Sequence, residues 1–482
     1  MSAAPVRPPV PVVDDPHLSG VFAPVTAEVD VPGLEVVGDL PPALDGAYVR
    51  NGPNPRFTPI GRYVYPLDGD GMVHRVVVRD GNVRYTNRFV RTPALRAEET
   101  AGRALWAGVT SSYRPGADLV GPALAGSARE LPDINVIRHR GVLLALAESD
   151  RPYRLDDDLE TVGPETFGGS QPAGITAHPK VDPRTGEMVV FCYDLHPPYL
   201  TWSSIRPDGS GTTPTPVEGL ARPVMIHDMA LTPHFVVLVL SPLFFDVGAA
   251  VAGGSLLSWE PEAGTRIALV PRDGGPVRWC EDEAFWLWHT AGAYELDDPA
   301  AGNPVVLDYV QWERPGGLTR PAHPRCGAPD HGVLARAVLD PGTGRVRRTV
   351  LDDRRVEFPR VDERLLTHRH GTIATAGTGG SGSGGPDALC WFDPEGGTCA
   401  TWRAPELAVG EPVFAPDPGR TDPGSGWWLS FATERATGES WLLVIPAAAP
   451  ATGPQAWVRM PVRVPLGLHG NWLPSGENPE PT

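Results

Sequence analysis

Turn-forming residues recur roughly every 8–15 positions along this 482-residue chain, and they bracket short apolar or alternating runs. MVHRVVVRDGNVRYTNRFV alternates on both sides of Asp80-Gly81-Asn82, a hairpin signal. NVIRHRGVLLALAESDRPYRLD reads as two strands joined at Arg140-Gly141, then a third. FVVLVL, RIALVPRDGGPVRW, VLARAVLDPGTGRVRRTVL and GWWLSFATERATGESWLLVIPA continue the pattern. Long amphipathic helical runs are scarce, which argues against βαβ units. The 55 Gly and 56 Pro are spread along the chain and supply turns, not disorder. An all-β assembly whose edges close by radial repetition fits best. At about 60–70 residues per blade the length accommodates about seven blades. Residues 92–133 and the Gly/Ser tract 377–386 are expected to be irregular. A Pro-rich extension is expected over residues 1–30, leaving 31–482 as a single domain.

Several function classes are excluded early. The net charge of −17 opposes nucleic acid as a partner. Lysine occurs once, at Lys180, in the Pro-bounded stretch PKVDPRTGE. A P-loop and a Schiff-base cofactor each need a lysine elsewhere. The five cysteines are odd in number and lack CxxC spacing, so they read as buried free thiols in a reducing compartment. MSAAPVRPPVPVVDDPHL has no apolar signal core, so a cytoplasmic location is expected. Residues 235–257 are apolar but broken by Pro242 and glycines, a poor membrane span. They read as the buried strand FVVLVL plus an apolar loop, or as a surface segment dipping into a bilayer.

Four of the thirteen histidines share a local setting, each at the end of an apolar run. They are His178 in ITAHPKVDP, His227 in MIHDMALT, His289 in WLWHTAGAYE and His469 in LGLHGNWLP. Their successive separations are 49, 62 and 180 residues. A helix-borne metal site would space its ligands three or four residues apart. Histidines one structural unit apart suit a radial fold in which each unit sends one imidazole to a common axis. Four imidazoles suit Fe, Cu, Ni or Zn and not Mg or Ca. His17, His196, His323, His331, His368 and His370 carry no such context and read as structural.

Bound imidazoles need a partner for the free ring N–H. Three glutamates interrupt apolar runs: Glu148 ending LLALAE, Glu357 in VEFPRV and Glu411 in VGEPVFAP. A glutamate in such a run is costly to bury unpaired. Each could equally close a strand in solvent or pair with an arginine.

Together these motifs resemble the carotenoid cleavage oxygenases, a family that includes stilbene-cleaving enzymes. The resemblance runs through GAYVRNGPNPRF, GDGMVH, LLALAESDRPYRLD, TAHPKVDPRTGEM, EFPRVDERL, GEPVFAP and LGLHGNWLP, across roughly residues 30–475. It implies a seven-bladed β-propeller with a dome of loops and short helices. It implies one Fe(II) held by His178, His227, His289 and His469, with O2 as co-substrate. Glu148, Glu357 and Glu411 match the family's supporting glutamates. The implied reaction is oxidative cleavage of a conjugated C=C bond to two carbonyl products.

The chain departs from the family pattern in places. Gly292 stands where the family has Asn before the AYE triplet, which begins here at Ala293, and Met229 replaces a Phe. Pro132-Asp133-Ile134 stands where the family reads Ala-Asn-Thr. Ile134 is therefore expected to place a bulkier apolar wall beside an open iron position. Stilbene-cleaving relatives carry a Lys before the first glutamate; here that residue is Ala147. This favours a carotenoid or apocarotenoid over a stilbene. Peripheral membrane contact is expected near residues 196–200 and 247–257, on a monomeric protein. A propeller glycoside hydrolase would instead bring paired carboxylates to the axis. A non-catalytic binding propeller would hold no metal.

Overall fold

The computed structural model describes residues 9–476, apart from 13, 110, 112, 252–254, 300–301, 317–330 and 380–383. Seven antiparallel sheets form seven blades, and a separate two-stranded hairpin pairs Leu243–Phe245 with Leu257–Trp259. Blade one contains Gly46–Arg50, Met72–Arg79 and Asn82–Phe89. Blades two to six start from the inner strands Asn135–His139, Lys180–Val181, Met229–Leu231, Trp286–Glu295 and Val356–Arg360. Each adds three further strands outward in sequence order.

Local chemistry explains the hairpins. Asp80 and Gly81 join two strands of blade one with φ of 49° and 74°. Arg140 and Gly141 do the same in blade two with φ of 56° and 73°. A two-residue loop with both φ positive matches the twist of the flanking strands.

The ring closes twice. Gly470–Pro474 becomes the innermost strand of blade one, pairing Arg50 with Gly470 and Gly46 with Pro474. Val36–Gly38 adds an outer strand to blade seven, beside Ala456–Arg459. Closing the sheet to itself removes edges that would otherwise invite aggregation.

The core is a ring of apolar interfaces between neighbouring blades. Tyr48, Val76 and Tyr85 of blade one meet Leu429, Leu442 and Val458 of blade seven. Val237 and Leu269 of blade four meet Leu307 and Tyr309 of blade five. Phe235–Leu240 is buried throughout, so FVVLVL is a core strand, and the hairpin and the helix Val247–Val251 follow it.

Two expectations, on residues 92–133 and on the cysteines, need adjustment. Residues 92–133 hold the helices Pro93–Ala101 and Ala117–Val120. The first has a full signal set: the Thr92 side chain accepts from Leu95 N, Pro93 opens it, and Gly102 closes it at φ 67°. Residues 16–25 are packed down: Val21 and Val25 are buried, and Leu466 N donates to Val21 O. The strand Asp30–Pro32 spans the expected boundary at residues 30 and 31. Cys280 and Cys390 are buried free thiols, while Cys192 and Cys399 are half-buried. Cys326, His323 and part of the Gly/Ser tract lie outside the described residues. His370 is structural: its Nε2 lies 2.8 Å from Asp308 Oδ2 inside the core.

Candidate metal centre

Four blades each bring one histidine to the same place. His178 and His227 each lie two residues before the inner strands of blades three and four. His289 lies within the inner strand of blade five, where the pairing slips on both sides of Thr290. Such irregularities re-aim a side chain out of the regular pleat. His469 precedes the closing strand Gly470–Pro474, so ring closure and placement of the fourth imidazole are one event.

One ligand atom from each of the four histidines lies within 4.8 Å of the others, and all four residues are buried. His178 Nε2 and His227 Nε2 are 3.1 Å apart. Nitrogens around a metal at about 2.1 Å lie about 3–4 Å apart.

The three glutamates sit behind this set. Glu148 Oε2 is 2.6 Å from His227 Nδ1, Glu357 Oε2 is 2.6 Å from His289 Nδ1, and Glu411 Oε1 is 2.9 Å from His469 Nδ1. Each imidazole donates through Nδ1–H, which leaves its Nε2 lone pair free. His289 Nε2 is buried with no hydrogen-bond partner, as a metal-directed nitrogen would be.

Each glutamate is positioned by local strain or a break. Glu148 precedes Ser149, which has φ of 47°. Glu357 lies at a slip in pairing with Ile373–Gly377, beside Phe358 at φ 55°. Gly410-Glu411-Pro412 splits the inner strand of blade seven into Leu407–Val409 and Val413–Pro416.

Charges around the centre do not cancel. Glu411 Oε2 lies 3.0 Å from Arg360 Nη1, and Asp228 Oδ1 lies 2.8 Å from Lys180 Nζ. Glu357 accepts from Trp312 Nε1 at 2.9 Å and from Phe358 N at 2.5 Å. Glu148 Oε1 is buried without a partner. Among the described residues neither Glu148 nor Glu357 meets a Lys or Arg. Two half-buried carboxylates without a Lys or Arg partner, around four nitrogen donors, fit a divalent cation.

Burial holds His178 well below the ordinary histidine range, and the neighbouring imidazoles add to this. Burial takes His469 down to about 4 despite Glu411. Burial opposes protonation of His289 too, but the Glu357 carboxylate overrides it and raises that group. Glu411 is held at about 2: burial opposes ionisation, and the Arg360 charge prevails.

Apolar side chains wall the centre. The Phe358 ring lies 5.4 Å from those of both His289 and His469, and Trp288 meets His227 edge-on at 5.0 Å. Ile134 is buried with Ala177 and Leu468, the residues before His178 and His469. Its carbonyl accepts from His469 N at 3.1 Å. A cavity of about 130 Å³ lies elsewhere, lined by Tyr63, Asp68, Glu98, Trp106 and Arg129 and by none of the four histidines. No helix among the described residues is long and apolar enough to cross a membrane.

The partners Arg360, Trp312, Lys180 and Asp228 were not legible as site residues. Asp228 carried the one available signal, as an anion directly after His227 in an apolar run. The carboxylates expected of a glycoside hydrolase at the axis are instead turned to imidazole Nδ1.

The retinal pigment epithelial membrane protein family model matches residues 22–474. A carotenoid cleavage oxygenase of Mycobacterium tuberculosis is 32% identical, over 96% of this chain and 98% of that protein. The chain therefore belongs to the carotenoid cleavage oxygenases, which are β-propeller oxygenases. A Pseudomonas brassicacearum lignostilbene dioxygenase superposes with TM-score 0.87 at 28% identity, covering 97% of this chain and 100% of that one. The cobalt-substituted apocarotenoid oxygenase of Synechocystis gives TM-score 0.81 at 26% identity, covering 94% and 97%.

Proposed function

We propose that this chain is a non-haem Fe(II) dioxygenase that cleaves a conjugated C=C bond of a carotenoid or apocarotenoid. His178, His227, His289 and His469 are the ligands, and residues 31–482 are the catalytic unit. The observation that carries this reading is the four-imidazole cluster with a carboxylate on three of its Nδ1 atoms. Fe(II) bound there supplies the activation of O2. The net change is one C=C bond and one O2 giving two carbonyl groups.

The chain's own residues do the rest. Glu148, Glu357 and Glu411 each hold an imidazole proton at Nδ1, which fixes the tautomer and ring orientation. Phe358 and Trp288 keep water from the imidazoles and present apolar surface to a polyene. Ile134 narrows the approach between His178 and His469, limiting where along the polyene the reacting bond can lie.

Ala147 offers no ammonium for a phenol, which favours a polyene over a stilbene. The similarity to a lignostilbene dioxygenase keeps stilbenes in the test panel. Peripheral membrane contact through residues 196–200 and 247–257 is part of the proposal. Exposed Val247 and Leu256, with exposed Leu195 just before the first segment, support it, and the Tyr193–Phe245 ring contact at 5.5 Å lies just before the two segments. Residues 252–254 lie outside the described residues. A cytoplasmic monomer is proposed as well. The experiment is incubation of iron-loaded protein with carotenoids, apocarotenals and stilbenes, with products identified by mass. Cleavage of stilbenes alone would overturn the substrate assignment.

A further inference from the structure

Three histidines rest on a carboxylate, but His178 meets none among the described residues. Its segment is tied down another way. Lys180, two residues on, reaches from blade three to blade four and places Nζ 2.8 Å from Asp228 Oδ1. Asp228 directly follows His227 and is 2% exposed. The same oxygen accepts from Met229 N at 2.7 Å. Oδ2 accepts from Thr290 N at 2.7 Å and lies 2.9 Å from Thr290 Oγ1. Thr290 directly follows His289. One buried carboxylate thus joins the residues beside three histidines, on three successive blades.

We propose that Lys180 is a positioning residue for the metal centre: through Asp228 its ammonium locks the segment carrying His178 to those carrying His227 and His289. This rests on the four-histidine reading above. Lys180 touches neither metal nor substrate. It replaces, by a cross-blade ion pair, the carboxylate that the other three histidines have at Nδ1.

A positional role and a bare charge effect have opposite signs. An ammonium near a cation site repels the cation, so its removal tightens metal binding if charge is all that matters. Removal weakens binding if it frees His178. The perturbation is Lys180→Met, which keeps the stem and removes the charge. Metal-free full-length protein is titrated with Co(II), and affinity is read together with the visible absorption of the bound ion. Apo-protein melting is recorded in parallel. The expected result is about tenfold or greater loss of Co(II) affinity and an altered visible band, the loss typical of a group supporting a ligand. Lys180→Arg, which keeps a donor, recovers affinity in part. Thr290→Val removes the hydroxyl, which touches both Asp228 Oδ2 and Met229 O at 2.9 Å, and keeps the backbone bond to Asp228; it should weaken binding in the same direction by a smaller factor, which keeps the test available if Lys180→Met does not fold. Unchanged or tighter binding with an unchanged band overturns the brace. If wild-type and His289→Ala proteins bind Co(II) alike, the four-histidine reading itself has failed.

Discussion

Replacing Glu357 by Gln should separate metal binding from folding. Glu357 Oε2 takes both His289 Nδ1–H and Phe358 N–H, and Oε1 takes Trp312 Nε1–H. A Gln oxygen can keep the first two bonds. Its amide nitrogen then faces the Trp312 N–H, donor against donor, a cost of about 1–3 kcal/mol for the unmet buried group. Against this, above the pH range in which His289 is protonated, an anion without a Lys or Arg partner has been removed from a half-buried position, which favours the metal-free fold. Apo stability should therefore change little. The His289 bond drops from charge-assisted to neutral, roughly half its strength. Affinity for a divalent metal should fall about 10–100-fold. Glu411→Gln is the contrast. It takes the charge of one partner from half-buried Arg360, which keeps Glu363, so it should destabilise apo and loaded protein alike, by less than the about 3–5 kcal/mol of a fully broken buried pair. Apo melting and anaerobic Fe(II) titration of both variants provide the assay. Wild-type metal affinity in Glu357→Gln, or an apo protein as unstable as that of Glu411→Gln, would refute the reasoning.

His289→Ala should lose iron and turnover together, since its Nε2 is the buried nitrogen with no other partner; metal analysis decides this. Ile134→Ala should open the apolar wall between His178 and His469, slowing turnover or loosening the choice of bond while iron stays bound. Unchanged spectra and product ratios would show that Ile134 does not face the metal. Metal binding should also depend on pH through His289. Burial opposes its protonation, but Glu357 raises its folded pKa above the ordinary value of about 6.5. The apo protein therefore gains stability from that proton below the ordinary pKa and loses it as pH rises through the folded one. Apparent metal affinity should rise with pH up to the folded value and then level, and the rise should move to lower pH in Glu357→Gln. Val247→Asp with Leu256→Asp should weaken binding to phosphatidylcholine vesicles in a flotation assay; equal flotation would remove the membrane proposal.

Much of the site was legible because its chemistry interrupts a pattern. A histidine or glutamate inside an apolar run is conspicuous, and seven such interruptions correspond to the four imidazoles and three carboxylates of the cluster. Hairpins were legible where the turn dictates the loop, as at Asp80-Gly81 and Arg140-Gly141. Closure was not, because Gly46–Arg50 pairs with Gly470–Pro474 from the other end of the chain, and no local signal encodes that register. The helix Pro93–Ala101 was missed although its cap, Pro93 and Gly102 were all present, because one short helix lacks a long apolar period. Lys180 read as part of a Pro-bounded stretch, and Asp228 only as the residue after His227. Their pairing crosses blades, and only the packed ring brings them within 2.8 Å.

The most direct test is cleavage of an apocarotenal under ¹⁸O2 by protein assayed for iron. The account requires about one Fe per chain, loss of that iron in each single His→Ala variant at positions 178, 227, 289 and 469, and labelled oxygen in both carbonyl products. Turnover that persists without iron, or that places no label in either product, would contradict it.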